Sequence, residues 1–165
     1  MRYHIFRGLG VAVVTPFTLD GAVDYPALKR LIRYQLDSGV DFLCILATTG
    51  ETPCLTLDEK NKITELVKEE NKGQVPILKY CGGNNTAAVI EEMKATDWSG
   101  IDGILSICPY YNKPSQEGLY QHFKAIASAS PLPVVMYNVP GRTGVNMKAE
   151  TTVRLAHDCE NIVGI

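Results

Sequence analysis

The sequence has no surplus of positive charge: 16 Lys and Arg stand against 18 Asp and Glu, a net charge of −2 with a pI near 5.9. Without a basic field, neither nucleic acid nor an anionic lipid surface is expected as a partner. No apolar run approaches the ~20 residues that a membrane span requires, and Met1–Arg7 lacks the apolar core of a signal peptide. A cytoplasmic protein acting on small molecules is the expectation.

Other absences narrow the chemistry. The five cysteines, Cys44, Cys54, Cys81, Cys108 and Cys159, form no C-x-x-C pair and have no neighbouring histidine pattern. They read as small buried hydrophobes in a reducing compartment, and no metal is expected. His4, His122 and His157 lie far apart, which argues against a metal or nucleophilic site. Glu51 and Asp102 are isolated acids without a paired carboxylate, so capping or ion pairing is expected of both. The acids and bases around Glu65–Lys72 read as a solvated helix face. There is no Ser/Gly-rich linker, and the first strand is followed by Thr15-Pro16-Phe17 rather than by Gly-x-Gly-x-x-Gly.

What is present is an alternation of short β-rich runs and longer segments of helical period, in a chain that is 45% hydrophobic and 21% charged. Strands are expected at Gly10–Thr15, Phe42–Ala47, Pro76–Cys81, Gly103–Cys108, Val134–Asn138 and Ile162–Ile165. Most are apolar throughout, as strands covered on both faces are. Helices are expected at Asp24–Ser38, Thr56–Asn71, Asn85–Trp98, Ser115–Ser130 and Met147–His157. Asp24 with Pro26, and the Thr56-x-x-Glu59 box, mark two of the starts. The repeat is about 30 residues, which gives five and a half βα units of either a doubly wound sheet or a (β/α)8 barrel of ~250 residues or more. Asn161–Ile165 reads as a buried strand with no cap or polar tail after it, so the residues expected next are those of a site.

In both architectures the chemistry sits at the carboxyl ends of the strands. There the sequence places Thr48-Thr49-Gly50-Glu51, Pro109-Tyr110-Tyr111-Asn112 and Tyr137-Asn138-Val139-Pro140-Gly141-Arg142-Thr143-Gly144. Thr48 and Thr49 offer hydroxyls and backbone N–H groups for a small carboxylate, or merely a turn. Tyr137 can donate and accept protons, or can rest its hydroxyl on a carbonyl; Arg142 can hold a carboxylate through two hydrogen bonds, or line a rim. Taken alone, Tyr110-Tyr111 reads as an aromatic contact at a subunit interface.

These motifs, with Gly8-Leu9-Gly10-Val11-Ala12-Val13-Val14-Thr15-Pro16-Phe17 before them and Lys113-Pro114-Ser115-Gln116-Glu117-Gly118 between them, closely resemble the dihydrodipicolinate synthase family of pyruvate-dependent class I aldolases. The resemblance covers the whole chain in order. It implies a TIM (β/α)8 barrel, of which residues 1–165 would be the N-terminal portion of a single domain ending in strand 6. It implies a lyase that condenses pyruvate, held as a Schiff base on a lysine directly after Ile165, with aspartate 4-semialdehyde, without metal or organic cofactor. Thr48, Tyr111 and Tyr137 match the family's proton relay, with Tyr111 reaching into the neighbouring subunit's site. Thr48 and Thr49 match its pyruvate-carboxylate contacts, and Arg142 its semialdehyde contact. A homotetramer built from two tight dimers is implied too.

Two departures stand out. Ala47 replaces a frequent glycine. Leu57 and Ala88 replace a histidine and a glutamate of the lysine-inhibition pocket, although Tyr110 and Asn84 match it; weak or absent inhibition by lysine is therefore expected. The alternatives are an N-acetylneuraminate or 2-keto-3-deoxy-sugar aldolase, which shares single motifs, and a non-catalytic barrel fragment. Lys79 and Lys113 are the nearest substitutes for the Schiff-base lysine, and neither is at the matching position.

Overall fold

Six short strands and five longer helices alternate along the chain in the computed structural model, which describes residues 5–165; Met1–His4 lie outside the described residues. The structure falls into two compact units, residues 5–79 and 80–165.

In the first unit, strands β1 (Gly10–Ala12), β2 (Phe42–Ile45) and β3 (Ile77–Tyr80) run parallel, in register Gly10 to Phe42 and Leu43 to Ile77. Helix α1 (Tyr25–Asp37) starts where the Asp24 carboxylate accepts from Ala27 N–H, and Pro26 sits in its first turn. Helix α2 (Leu57–Asn71) has the full capping box between Thr56 and Glu59. The two helices pack together, burying Leu28, Ile32, Ile63 and Val67. One expectation is corrected here: Glu70 does not belong to the solvated face. It is 5% exposed and is clamped by Lys29 at 2.8 Å and Arg33 at 2.5 Å, which hold its carboxyl below the usual range.

The second unit repeats the plan. Strands β4 (Gly103–Ile107), β5 (Val134–Tyr137) and β6 (Ile162–Gly164) run parallel, with β4 and β5 in register from Ile104–Val134 to Ile107–Tyr137. Directly after β3, Cys81 N–H donates to Leu105 O at 3.0 Å, so the chain leaving the third strand lies beside the fourth. Within each unit the strands pair in sequence order, β1–β2–β3 in the first and β4–β5–β6 in the second. Helices α3 (Thr86–Ala95), α4 (Gln116–Ala129), the single turn α5 (Pro140–Thr143) and α6 (Ala149–Asp158) cover the strands. Cys81, Met93, Ile104, Phe123, Met136 and Leu155 belong to one buried cluster. Helices α4 and α6 are pinned by Arg154, which stacks 3.4 Å over the Tyr120 ring and pairs with Glu117, and by Tyr120 O–H donating to Asp158.

Four cysteines are buried, as expected of small hydrophobes, and Cys54 is exposed. Burial pushes the Cys44 and Cys108 thiols up to about 11, so neither is a ready nucleophile.

Candidate active site

Each expected site residue lies at or just beyond the carboxyl end of a strand. In the first unit, Leu46 leaves β2 with φ 57°, and residues 48–50 form one 3-10 turn closed by Gly50 N–H to Ala47 O at 3.0 Å. Glu51, at φ 54°, ends it and begins a second turn, Thr52–Cys54, without a side-chain cap. The first two N–H groups of such a turn precede its own hydrogen bonds and remain free for another acceptor; here they belong to Thr48 and Thr49. Thr48 is half-buried and Thr49 exposed.

The turn is held by a residue to which the sequence assigned no role. Buried Thr15, just after β1, donates its hydroxyl to Gly50 O at 2.7 Å. A side chain at Gly50 would stand 3.1 Å from Val13 O, tighter than an ordinary contact, so the two backbones approach closely where glycine stands. The signal was the threonine three residues beyond an apolar strand, which periodicity alone does not separate from the strand itself.

In the second unit the ends of β4 and β5 lie side by side, because Ile107 pairs with Tyr137 and Cys108 N–H donates to Tyr137 O at 3.0 Å. Tyr137 is half-buried. Asn138 then ties the following loop: its Oδ1 accepts from Met147 N–H at 3.0 Å and its Nδ2 donates to Asn146 Oδ1 at 2.8 Å. Within that loop, Thr143 Oγ1 donates to Val145 O at 2.9 Å, and Gly144 caps α5 at φ 72°. Arg142 stands exposed on α5. Tyr137 and Arg142 are thus brought to one short segment, fixed by Asn138 and Thr143.

Tyr111 follows β4 and is 86% exposed, with φ 70° and a bond from Asn112 N–H to Tyr110 O at 2.8 Å spanning it. That is the pattern of a γ-turn with positive φ, a rare and strained conformation for a non-glycine residue. Lys113, again at positive φ, closes the loop. Half-buried Tyr80, at the end of β3, was not singled out by sequence; it donates to Gly82 O at 3.1 Å, and burial, with Tyr110 and Tyr137 among the groups around it, pushes its phenol well above the usual range. Lys79 is buried in β3, opposite Ile45 and one residue before the strand ends. Among the described residues no cluster of His, Cys, Asp or Glu has the arrangement of a metal site.

The model of the dihydrodipicolinate synthetase family matches residues 5–165. The chain belongs to that family. The 4-hydroxy-tetrahydrodipicolinate synthase of Phocaeicola vulgatus is 60% identical over 159 residues, 96% of this chain and 54% of that protein. The dihydrodipicolinate synthase structure from Thermotoga maritima superimposes with a TM-score of 0.93 at 47% identity, covering 98% of this chain and 55% of that one. The enzyme from Acinetobacter baumannii, solved with pyruvate, gives 0.91 at 44% identity over 96% of this chain and 54% of that one. The chain spans about half the length of the relatives it matches. These likenesses bear out the fold class: this member of the dihydrodipicolinate synthetase family is part of a (β/α)8 barrel, and the doubly wound alternative is set aside.

Proposed function

We propose that the full-length protein is a lyase that condenses pyruvate with aspartate 4-semialdehyde to give 4-hydroxy-tetrahydrodipicolinate, an entry step to lysine. The observation that carries this is the 60% identity to a 4-hydroxy-tetrahydrodipicolinate synthase across nearly the whole of the chain, in which Tyr137 ends a strand and Thr48, Thr49, Tyr111 and Arg142 follow within five residues of one.

The reaction begins with a neutral lysine amine, which the proposal places directly after Ile165, at the end of β6. A lysine in an apolar strand end is more easily deprotonated than one in water, so it can attack the pyruvate ketone. Loss of water gives an imine, which withdraws electrons and allows a methyl proton to leave; the resulting enamine attacks the aldehyde carbon. Thr48 and Thr49 bind the pyruvate carboxylate through hydroxyl and N–H groups. Tyr137, linked to Thr48 and to Tyr111 of a second subunit, delivers and removes protons as the imine forms and the product cyclises. Arg142 holds the semialdehyde carboxylate through two parallel N–H bonds. The exposure of Tyr111 supports its role in a partner's site, and with it a homotetramer built from tight dimers. The absence among the described residues of any helix long and apolar enough to cross a membrane is consistent with the cytoplasm as its place of action.

Steady-state assay of the full-length enzyme with pyruvate and aspartate semialdehyde tests this directly. Turnover is expected with this pair and not in cleavage of N-acetylneuraminate or of 2-keto-3-deoxy sugars; preference for the sugar acids would overturn the reading.

A further inference from the structure

Lys113 lies against the turn that carries Arg142. A methyl group placed on Gly144 would stand 3.2 Å from Lys113 Cε and 3.9 Å from its Cγ, so the lysine stem runs across the bare α-carbon of that residue. Gly144 is the left-handed cap of α5, at φ 72°, and Lys113 itself adopts φ 49°. Non-glycine residues rarely take such a conformation, and it costs free energy. The contact between the β4 loop and the Arg142 turn is thus made by one residue in an uncommon backbone conformation, Lys113, and a glycine whose bare α-carbon leaves room for it.

The contact is made by methylenes, which cover the glycine while the ammonium stays in water. Both Lys113 and Arg142 are exposed, and among the described residues neither enters an ion pair. Two cations without an ion-pair partner thus stand on two loops that touch at Gly144, two residues beyond Arg142, an arrangement that favours an anion between them.

We propose that Lys113 is a specificity residue: a second cation at the Arg142 turn that favours an aldehyde bearing a carboxylate over a neutral one. This rests on the function proposed above. In this proposal Arg142 supplies the directional, two-pronged grip, and Lys113, whose stem meets the same turn at Gly144, supplies a screened point charge. It is not a substitute for the Schiff-base lysine, since its stem is spent on Gly144 at an exposed loop.

The test is steady-state kinetics of the full-length enzyme with K113M and K113R. Met keeps the stem and removes the charge. K113M is expected to raise the KM for aspartate semialdehyde roughly two- to fivefold, the range of an exposed charge contact, with kcat and the KM for pyruvate unchanged. K113R is expected to restore it, and the difference is expected to shrink at about 0.5 M salt. An unchanged semialdehyde KM, an equal rise in both KM values, or loss of assembly in K113M would overturn the inference while leaving the function intact. No semialdehyde turnover by the unsubstituted enzyme would overturn both.

Discussion

The Thr15 hydroxyl donates to the Gly50 carbonyl across 2.7 Å in a buried setting, linking the exit of one strand to the turn that presents Thr48 and Thr49. That bond fixes the turn proposed to hold the pyruvate carboxylate. Thr15→Val keeps the shape and leaves the Gly50 oxygen buried without a donor, a loss of about 1 to 3 kcal/mol. The expected outcome in the full-length enzyme is a lower melting temperature and a higher KM for pyruvate, with the KM for the semialdehyde little changed. Equal melting temperature and pyruvate KM would contradict it.

Tyr111 combines positive φ with high exposure, a costly arrangement for a side chain with no neighbour of its own to fill. If its hydroxyl serves a partner's proton relay, Tyr111→Phe should lower kcat by at least about tenfold, in the direction of a lost general acid, and leave stability unchanged. Mixing Tyr111→Phe with a Tyr137→Phe variant should regain part of the activity, because mixed dimers would then hold some sites with both phenols. Failure of mixing to restore any activity under conditions of subunit exchange would place Tyr111 outside the partner's site.

His122 predicts a pH dependence of stability. This α4 residue is 4% exposed and bonded through Nδ1 to Thr86 Oγ1, at the start of α3, at 2.8 Å, and burial pushes its pKa down from 6.5 to about 4. A group whose folded pKa is lowered in this way binds a proton more readily when unfolded. Its contribution is complete above pH 6.5 and is lost as the pH falls from 6.5 towards 4. At 1.4 kcal/mol per unit the upper bound is about 3 kcal/mol. Melting temperature measured across this window should fall less steeply for His122→Gln than for the unsubstituted protein; parallel curves would show that His122 does not titrate on unfolding.

The positions expected to bind an inhibitory lysine carry Leu57, exposed at the first position of α2, and Ala88, exposed in the first turn of α3. Neither offers a charge or hydrogen bond to an amino acid. Millimolar lysine should leave the full-length enzyme active, and strong inhibition in an initial-rate assay would contradict this. Ala88→Glu with Leu57→His is the variant in which sensitivity would be expected to rise.

All six strands were legible, because buried parallel strands are continuous apolar runs, but their ends were read too long. The apolar run passes through Leu46 and Ala47, yet Leu46 turns left-handed and ends β2 at Ile45. At Cys81 and Cys108 one further N–H bond continues the ladder, which makes the boundary soft. Helix α3 was expected to reach Trp98 and stops at Ala95, where Thr96 becomes extended and the Trp98 indole N–H takes the Met93 carbonyl. The turns at 48–50, 52–54 and 140–143 were invisible to periodicity, being shorter than one repeat of it; only Pro53, Pro140 and Gly144 marked them. The candidate site residues stand out in the sequence as polar clusters after apolar runs. Thr15, Asn138 and Thr143, which hold them, do not, since a hydrogen bond to distant backbone leaves no pattern in sequence.

Pyruvate is proposed to become covalently attached just beyond β6. Borohydride reduction of the full-length protein with pyruvate, followed by peptide mapping, measures this directly. The account predicts one stable pyruvyl adduct per chain, on the lysine immediately following Ile165, and none on a chain ending at Ile165. An adduct on Lys79 or Lys113, or no adduct on an active full-length enzyme, would contradict it.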